Sequence, residues 1–170
     1  MERVVSTRGK QPALTNRRSW LARLLAGGLI CAIAGLCLLA SPALATGETM
    51  TVYRSSSCRC CGHWVDHMQA AGFEVQEVVT DEMAAIKAQS GIPEALASCH
   101  TAIIENYRIE GHVPAADVQR LLTEHPDILG LAAPGMPIGA PGMEMGDRVD
   151  PYTVVAFTAD GDTATFAQHP

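Results

Sequence analysis

The sequence predicts an α/β fold in which strands and helices follow the order β-α-β-α-β-β-α, with a further hairpin near the carboxyl end. Three observations support this fold class. A short apolar strand at residues 50–53 runs into a cysteine-rich segment at residues 58–61. Up to about residue 125, segments whose apolar residues recur every second position, as in strands, alternate with segments where they recur every three to four positions, as in helices. A segment rich in Pro and Gly, residues 132–146, separates this part from two more strand-like runs.

The first half of this order rests on apolar periodicity. Residues 50–53 predict a buried strand, and residues 58–61 follow it as a loop. Residues 62–71 predict a helix with a stripe at 3.6-residue spacing. Residues 73–79 alternate as a half-buried strand does, and residues 82–89 predict a second helix. The members of the first stripe are Trp64, Val65, Met68 and Ala71.

The second half adds a hairpin and a third helix. Residues 101–105 predict a strand, and residues 108–113 its antiparallel partner across a two-residue turn. Pro114 is expected at the first position of the third helix, and Pro126 lies just beyond its end. A CxxC motif placed after the first strand of a βαβ unit is typical of the thioredoxin-like fold. The order of elements and this placement together predict a thioredoxin-like domain.

The remainder of the chain has a different character. Residues 132–146 are rich in Pro, Gly and Met, and the sequence Ala-Pro-Gly-Met occurs at 133–136 and again at 140–143. This segment carries no periodic core pattern, so it predicts an ordered loop or a mobile flap. Residues 152–157 and 163–167 predict a final hairpin that extends or covers the edge of the sheet.

The first 45 residues read as an export signal. Six basic residues precede an apolar run at residues 24–39, and Ala-Leu-Ala follows at 43–45. This three-part pattern predicts a cleaved signal peptide over residues 1–45 and a single mature domain over residues 46–170. An uncleaved membrane anchor is the alternative, but the apolar run is short for a span of about 20 residues. We therefore expect no stable membrane anchor after cleavage.

Residues 16–21, Asn-Arg-Arg-Ser-Trp-Leu, are similar to a twin-arginine export signal, although Trp20 stands where Phe is usual. A general secretory signal remains an equal alternative. Both routes lead to an oxidising compartment outside the cytoplasm, and we expect the bacterial periplasm.

Charge excludes one class of partner. Without residues 1–45, the chain keeps 6 basic and 17 acidic residues, a net charge of −11. Nucleic-acid binding needs a basic face to meet the phosphates, so nucleic acid is not expected as a partner.

Four cysteines remain in the predicted mature domain: Cys58, Cys60, Cys61 and Cys99. Three thiols within one turn do not join distant parts of a chain, which disfavours two structural disulfides. The cluster has two ordinary uses, binding a thiophilic metal or thiol–disulfide exchange. Exchange needs only two thiols, whereas several thiolates suit Cu(I). Zinc with four tetrahedral ligands is the less favoured metal, since the usual second pair of ligands is missing.

Cys99 favours the metal. It precedes the third strand, where thioredoxin-like folds place a cis-proline loop that faces the CxxC. Here Cys99 and His100 occupy that place, so the topology predicts Cys99 beside the other three cysteines. His63, two residues after Cys61, and His100 are candidate secondary ligands. An ordinary buried cysteine at position 99 is the alternative.

The sequence does not assign a role to the methionines of residues 136–145 or to the remaining histidines. Met136, Met143 and Met145 offer thioethers that suit Cu(I), or they fill gaps over the domain. His67 shares a helix face with His63, and His112 is as easily structural as functional. His125 and His169 are expected at the surface.

Several motifs together resemble the CopG-type periplasmic family, small exported proteins often encoded beside copper-resistance genes. They are C-x-C-C-G-H-W-x-x-H-M from residue 58, S-C-H-T from residue 98, E-G-H-V-P from residue 110, and two P-G-M segments. The resemblance covers residues 50–155. It implies a thioredoxin-like fold and copper binding by the cysteines at positions 58, 60, 61 and 99. Arg59 departs from the small residue expected there.

The sequence therefore predicts a periplasmic copper-binding protein of copper homeostasis or resistance. Cu(I) is the expected ligand, redox cycling with Cu(II) is a further expectation, and other periplasmic copper-handling proteins are candidate partners. Whether the protein is an enzyme is left open. A thiol–disulfide oxidoreductase that uses Cys58 and Cys61, and a structural zinc module, are the alternatives.

Overall fold

The computed structural model describes residues 47–170, so the predicted signal peptide and its cleavage site lie outside the described residues. Residues 47–170 form three α-helices, one short 3-10 turn (Glu94–Leu96) and seven strands, which confirms the predicted α/β class. None of these helices is both long and apolar enough to cross a bilayer.

The first seven elements follow the predicted order. The strands are β1 (Thr49–Arg54), β2 (Glu74–Val79), β3 (His100–Ile104) and β4 (Tyr107–Gly111). The helices are α1 (Arg59–Ala70), α2 (Met83–Gln89) and α3 (Ala115–Glu124). The last three strands are β5 (Gly130–Ala133), β6 (Tyr152–Phe157) and β7 (Thr163–His169).

All seven strands form one sheet in the order β2-β1-β3-β4-β5-β6-β7. β1 is parallel to β2 and antiparallel to β3, and β4 is antiparallel to β3. Arg54 pairs with His100, and Thr101 pairs with Glu110. The end of β1, the start of β3 and the end of β4 therefore meet at one end of the sheet. The thioredoxin-like classification itself remains a prediction.

Apolar burial fixes α1 and α3 against one face of the sheet. Trp64 and Met68 of α1 and Leu121 of α3 are fully buried in the same cluster as Met50 of β1 and Leu131 of β5. A smaller cluster on the opposite face joins β5 and β6 to the segment before β3; its members are Ile92, Leu96, Ala132 and Phe157. β5 and β6 thus contribute neighbouring residues to opposite faces, Leu131 and Ala156 to the larger cluster and Ala132 and Phe157 to the smaller.

Four local expectations were wrong. Pro114 was expected at the first position of the third helix, but α3 begins at Ala115 and Pro114 is its N-cap, with an extended backbone. Helix α1 begins at Arg59 rather than at residue 62, so two cysteines lie in its first turn instead of in a loop. β2 is an edge strand whose side chains are mostly exposed, with only Val75 half-buried. Residues 130–133 form β5, parallel to β4, where a loop was expected from residue 132. The final hairpin extends the sheet, which is one of the two predicted arrangements.

Candidate metal centre

The end of the sheet where β1 ends and β3 begins brings four cysteines together. Cys58 is the N-cap of α1, and Cys60 and Cys61 lie in its first turn. Cys99 immediately precedes β3, which pairs with β1. The four sulfur atoms lie within 4.8 Å of one another. The pairing of two neighbouring strands therefore closes a gap of about forty residues in sequence, as the predicted topology requires.

These cysteines are not all free thiols. Cys58 and Cys61 form a disulfide, and Cys60 and Cys99 are the free cysteines among residues 47–170. The sulfur of Cys60 lies 3.5 Å from that of Cys58. Because the disulfide joins residues three positions apart, it closes a single helical turn and holds no distant segment in place. A site of four thiols requires reduction of this bond, which takes two electrons.

Two histidines form a second group around Cys99. Cys99, His100 and His112 also offer ligand atoms within 4.8 Å of one another. The distance from Cys99 Sγ to His112 Nε2 is 2.9 Å, and to His100 Nδ1 it is 3.5 Å. The two groups share Cys99, which therefore lies between three other sulfur atoms and two imidazole rings.

Both histidines of this group are fully buried, and His100 lies between two aromatic rings. The Nε2 of His100 has no hydrogen-bond partner. Its ring lies 4.4 Å from that of Trp64 and 5.1 Å from that of His112. Burial, followed by the nearby His112, holds the pKa of His100 well below its usual value. The ring is consequently neutral at physiological pH, the form that binds metals.

Cys99 is protonated in the metal-free protein. Its burial foremost, and then the neighbouring Cys60, raise the pKa of Cys99 to about 11, although the hydroxyl of Ser98 partly opposes this. A metal ion bound by this sulfur must therefore displace a proton.

The remaining histidines lie outside both groups. His63 is exposed on α1, because it neighbours Trp64 and points away from the core that Trp64 faces. His67 Nε2 accepts a hydrogen bond of 3.1 Å from the backbone N–H of Ala115, at the start of α3. His125 is exposed, as predicted, whereas His169 is half-buried and pairs with Asp117 at 2.7 Å.

The segment of residues 134–150 lies against the start of α1. His112 Nδ1 lies 2.7 Å from the carbonyl oxygen of Pro141. At Gly142 a Cβ atom would lie 2.7 Å from the carbonyl oxygen of Cys60 and 2.7 Å from the backbone nitrogen of Trp64. This loop is thus an ordered cover next to the cysteines. Within it, the side chains of Met136 and Met145 are 59% and 63% exposed, while Met143 is half-buried.

The donor set fits a soft metal ion. Sulfur and neutral imidazole are the ligands that Cu(I) prefers, and zinc also accepts both. The nitrogen of His100 that faces the sulfur of Cys99 is Nδ1, at 3.5 Å, so Nδ1 is its candidate ligand atom. From the sequence, a structural role and a functional role for His112 were equally favoured. The structure places His112 beside Cys99 because β3 pairs with β4.

The fold and this cluster define an α/β protein with a candidate metal centre rich in cysteine and histidine. Residues 96–143 match the family described as "Protein of unknown function, DUF411". Two solved structures titled "Copper resistance protein copG", Form 1 and Form 2, are each 45% identical to this chain with a TM-score of 0.70. The alignments cover 73% and 72% of this chain and 98% of each of those chains. A comparison with curated proteins found no match.

The chain therefore belongs to the family of CopG copper resistance proteins. Both the predicted family and the predicted fold class are confirmed by these relatives. Family membership and the cysteine cluster together support a copper-related role.

Proposed function

We propose that this protein binds Cu(I) through Cys58, Cys60, Cys61 and Cys99 and acts in copper homeostasis or resistance. The observation that carries the proposal is the meeting of four sulfur atoms within 4.8 Å at one end of the sheet. Several thiolates at such distances suit Cu(I), which accepts soft ligands.

Histidine ligands complete the proposed site. His100 and His63 are the secondary ligands proposed from sequence, and the position of His100 beside Cys99 supports its role. A ligand role for His63 requires its exposed side chain to turn towards the sulfurs. His112 joins the proposal because its Nε2 lies 2.9 Å from Cys99 Sγ. The exposed thioethers of Met136 and Met145 are proposed as the first contacts for incoming copper.

A redox role extends this proposal. When the thiols of Cys58 and Cys61 close their disulfide, they release two electrons and two protons. Two Cu(II) ions would take up these electrons and become two Cu(I) ions. A reductant of the dithiol class must then reopen the bond before the four-thiol site can form again.

Export follows from the same proposal. We infer that residues 1–45 direct the chain to the periplasm and are removed, and that residues 46–170 work there as one domain. Fractionation of cells that express the full chain tests this inference, since a cytoplasmic location or an uncleaved product would contradict it. Other copper-handling proteins of that compartment are the proposed partners.

One observation favours a second candidate function, thiol–disulfide exchange on proteins. The disulfide between Cys58 and Cys61 lies at the start of α1, where exchange enzymes carry theirs. Two features oppose it: Cys61 is fully buried, and Cys99 and His100 occupy the place where thioredoxin-like exchange enzymes carry a proline. A structural zinc site is the third candidate.

A metal titration separates the three candidates. The reduced protein is titrated anaerobically with Cu(I) and separately with Zn(II), each against a chelator of known affinity. The Cys99→Ser variant removes one proposed ligand, and His125→Asn changes an exposed histidine outside both groups as a control. Insulin reduction by the metal-free protein is measured in parallel.

We expect Cys99→Ser to lower Cu(I) affinity and stoichiometry, while His125→Asn leaves both unchanged. Equal Cu(I) loading in the wild type and in Cys99→Ser would show that the four-sulfur site is wrong. Preferential binding of Zn(II) would favour the zinc site, and rapid insulin reduction without metal would favour exchange.

A further inference from the structure

A buried carboxylate lies behind the segment that carries Cys99. Glu110 of β4 is fully buried, and three donors surround its side chain. Oε1 accepts hydrogen bonds from Lys87 Nζ at 2.5 Å and from the backbone N–H of Ser98 at 2.6 Å. Oε2 accepts a hydrogen bond of 2.7 Å from Thr101 Oγ1. The carboxylate thus joins α2 to both sides of the segment that contains Cys99.

These contacts explain why a charge is tolerated inside the protein. A buried carboxylate is costly unless a countercharge and further hydrogen bonds compensate it. The side chain of Lys87 is only 15% exposed and supplies the countercharge. Because the hydrogen bond from Ser98 comes from the backbone, it fixes the peptide that leads directly into Cys99.

The two residues after Glu110 contact the same segment. Gly111 has a φ of +71°, and a Cβ atom there would lie 2.5 Å from Ser98 Oγ and 2.7 Å from the carbonyl oxygen of Ala133. Glycine therefore lets Ser98 lie directly on the strand. His112 follows, with Nε2 at 2.9 Å from Cys99 Sγ. Glu110, Gly111 and His112, three consecutive residues, thus all lie against Ser98 or Cys99.

We propose that Glu110 is a positioning residue that fixes Cys99 through the backbone N–H of Ser98 and thereby sets the affinity of the site for Cu(I). Neither Ser98 nor Cys99, the two residues directly before β3, is a proline, and Glu110 supplies the constraint that orders them. This inference rests on the proposed copper-binding function. Loss of an outer-shell partner of a metal ligand typically costs about 10- to 100-fold in affinity.

Two variants separate the hydrogen bond from the charge. Glu110→Gln keeps an oxygen that can accept the N–H of Ser98. Lys87→Met with Glu110→Met removes that acceptor together with both charges, and such replacement of a buried ion pair is often neutral for stability. Glu105→Gln changes an exposed carboxylate in the β3–β4 turn and is the control. Each change is also made in the Cys99→Ser background, and unfolding midpoints are recorded.

Cu(I) affinity is measured by chelator competition. We expect Glu110→Gln and Glu105→Gln to match the wild type, and the double Met variant to bind about 10- to 100-fold more weakly. In the Cys99→Ser background the double Met change should alter affinity by no more than about twofold, because its effect acts through Cys99. An equal loss in both backgrounds, or an equal loss in Glu110→Gln, overturns the positioning role.

A measurement without copper decides the inference independently. The reduced, metal-free protein is treated with an alkylating agent, and the labelling rates of Cys60 and Cys99 are compared by peptide mass spectrometry. We expect the double Met variant to raise the rate at Cys99 several-fold and to leave Cys60 unchanged. Unchanged labelling at Cys99 contradicts the inference. If instead wild type and Cys99→Ser bind Cu(I) equally, the proposed function fails, while the labelling result still tests the positioning of Cys99.

Discussion

His112 presents an unprotonated nitrogen to the sulfur of Cys99. Its Nδ1 lies 2.7 Å from the carbonyl oxygen of Pro141, which can only accept a hydrogen bond, so the neutral ring carries its proton there. Nε2 is then left with a lone pair, 2.9 Å from Cys99 Sγ. Burial, as the largest cause, lowers the pKa of His112 and favours this neutral form. The loop of residues 134–150, which covers the cysteines, thus fixes the tautomer of His112 that can bind a metal through Nε2.

Replacement of His112 should therefore weaken copper binding. We expect His112→Gln to lower Cu(I) affinity by at least about tenfold, since it removes the nitrogen that faces Cys99. Chelator competition on the reduced protein measures the change, and His125→Asn again serves as the control. Wild-type affinity in His112→Gln would show that this ring is only structural.

The close approach of the covering loop to α1 makes a second prediction. Gly142→Ala introduces a Cβ atom 2.7 Å from backbone atoms of Cys60 and Trp64, so the loop or the helix must move. We expect this crowding to cost about 1–3 kcal/mol in the free energy of unfolding, in addition to roughly 1–2 kcal/mol for a Cβ at the positive φ of Gly142, measured with denaturant. Copper should also dissociate faster from this variant.

Gly146→Ala is the matched control for this prediction. Gly146 shares a positive φ, +61° against +82° at Gly142, but a Cβ atom there would contact nothing within 4 Å. The control carries only the cost of the left-handed conformation, roughly 1–2 kcal/mol. Equal destabilisation and equal copper release in the two variants would argue against close packing of the loop on α1.

His67 makes a third prediction, on pH. Burial lowers the pKa of His67, and Glu144 only partly offsets this, while its Nε2 accepts the N–H of Ala115. The unfolded chain, with a pKa near 6.5, therefore binds this proton more readily than the folded chain does. Stability should fall as pH decreases from about 7 through 6.5 towards the lower folded pKa.

Substitution of His67 isolates its share of this slope. His67→Gln offers an amide oxygen to the same N–H and does not titrate. The free energy of unfolding of this variant should depend less steeply on pH between about 7 and 5 than that of the wild type. The buried His100 and His112 contribute a slope of the same sign to both proteins. Identical slopes would exclude a contribution from His67.

The disulfide makes a fourth prediction, on thiol reactivity. In the oxidised, metal-free protein, alkylation under denaturing conditions should label Cys60 and Cys99 but not Cys58 or Cys61. Prior reduction should make all four reactive, and only then should full Cu(I) binding appear. Peptide mass spectrometry locates the labels. Labelling of Cys61 before reduction would contradict the assigned disulfide.

Local sequence patterns were sufficient to predict the order of the first seven elements and the meeting of Cys99 with the other cysteines. They failed where pairing between distant segments decides the structure. β5 is short and rich in small residues, and Gly130 packs so closely on β4 that a Cβ atom would lie 2.0 Å from the carbonyl oxygen of Arg108. Nothing in the local pattern distinguishes such a strand from a loop.

The histidines show the same limit. His63 was favoured because it is close to Cys61 in sequence. However, Trp64, the next residue of α1, faces the core, so His63 faces away from it and is exposed. His112 is thirteen residues from Cys99, and the β3–β4 hairpin brings them together. The expected topology therefore predicted the meeting of the cysteines, whereas spacing along the chain did not indicate that His112 lies next to Cys99.

Trp64 joins the proposed copper site to the packing of the helices. This one side chain on α1 packs on His100 of β3 and donates a hydrogen bond of 2.8 Å to the carbonyl oxygen of Val113, before α3. A metal ion in the proposed site would therefore stabilise the contacts between α1, β3 and the residues before α3, which are lost when the chain unfolds. By mass action, free Cu(I) at 100 times its dissociation constant would add about 2.7 kcal/mol to stability. We expect the loaded chain to resist proteolysis and to persist, so that its abundance rises with the metal.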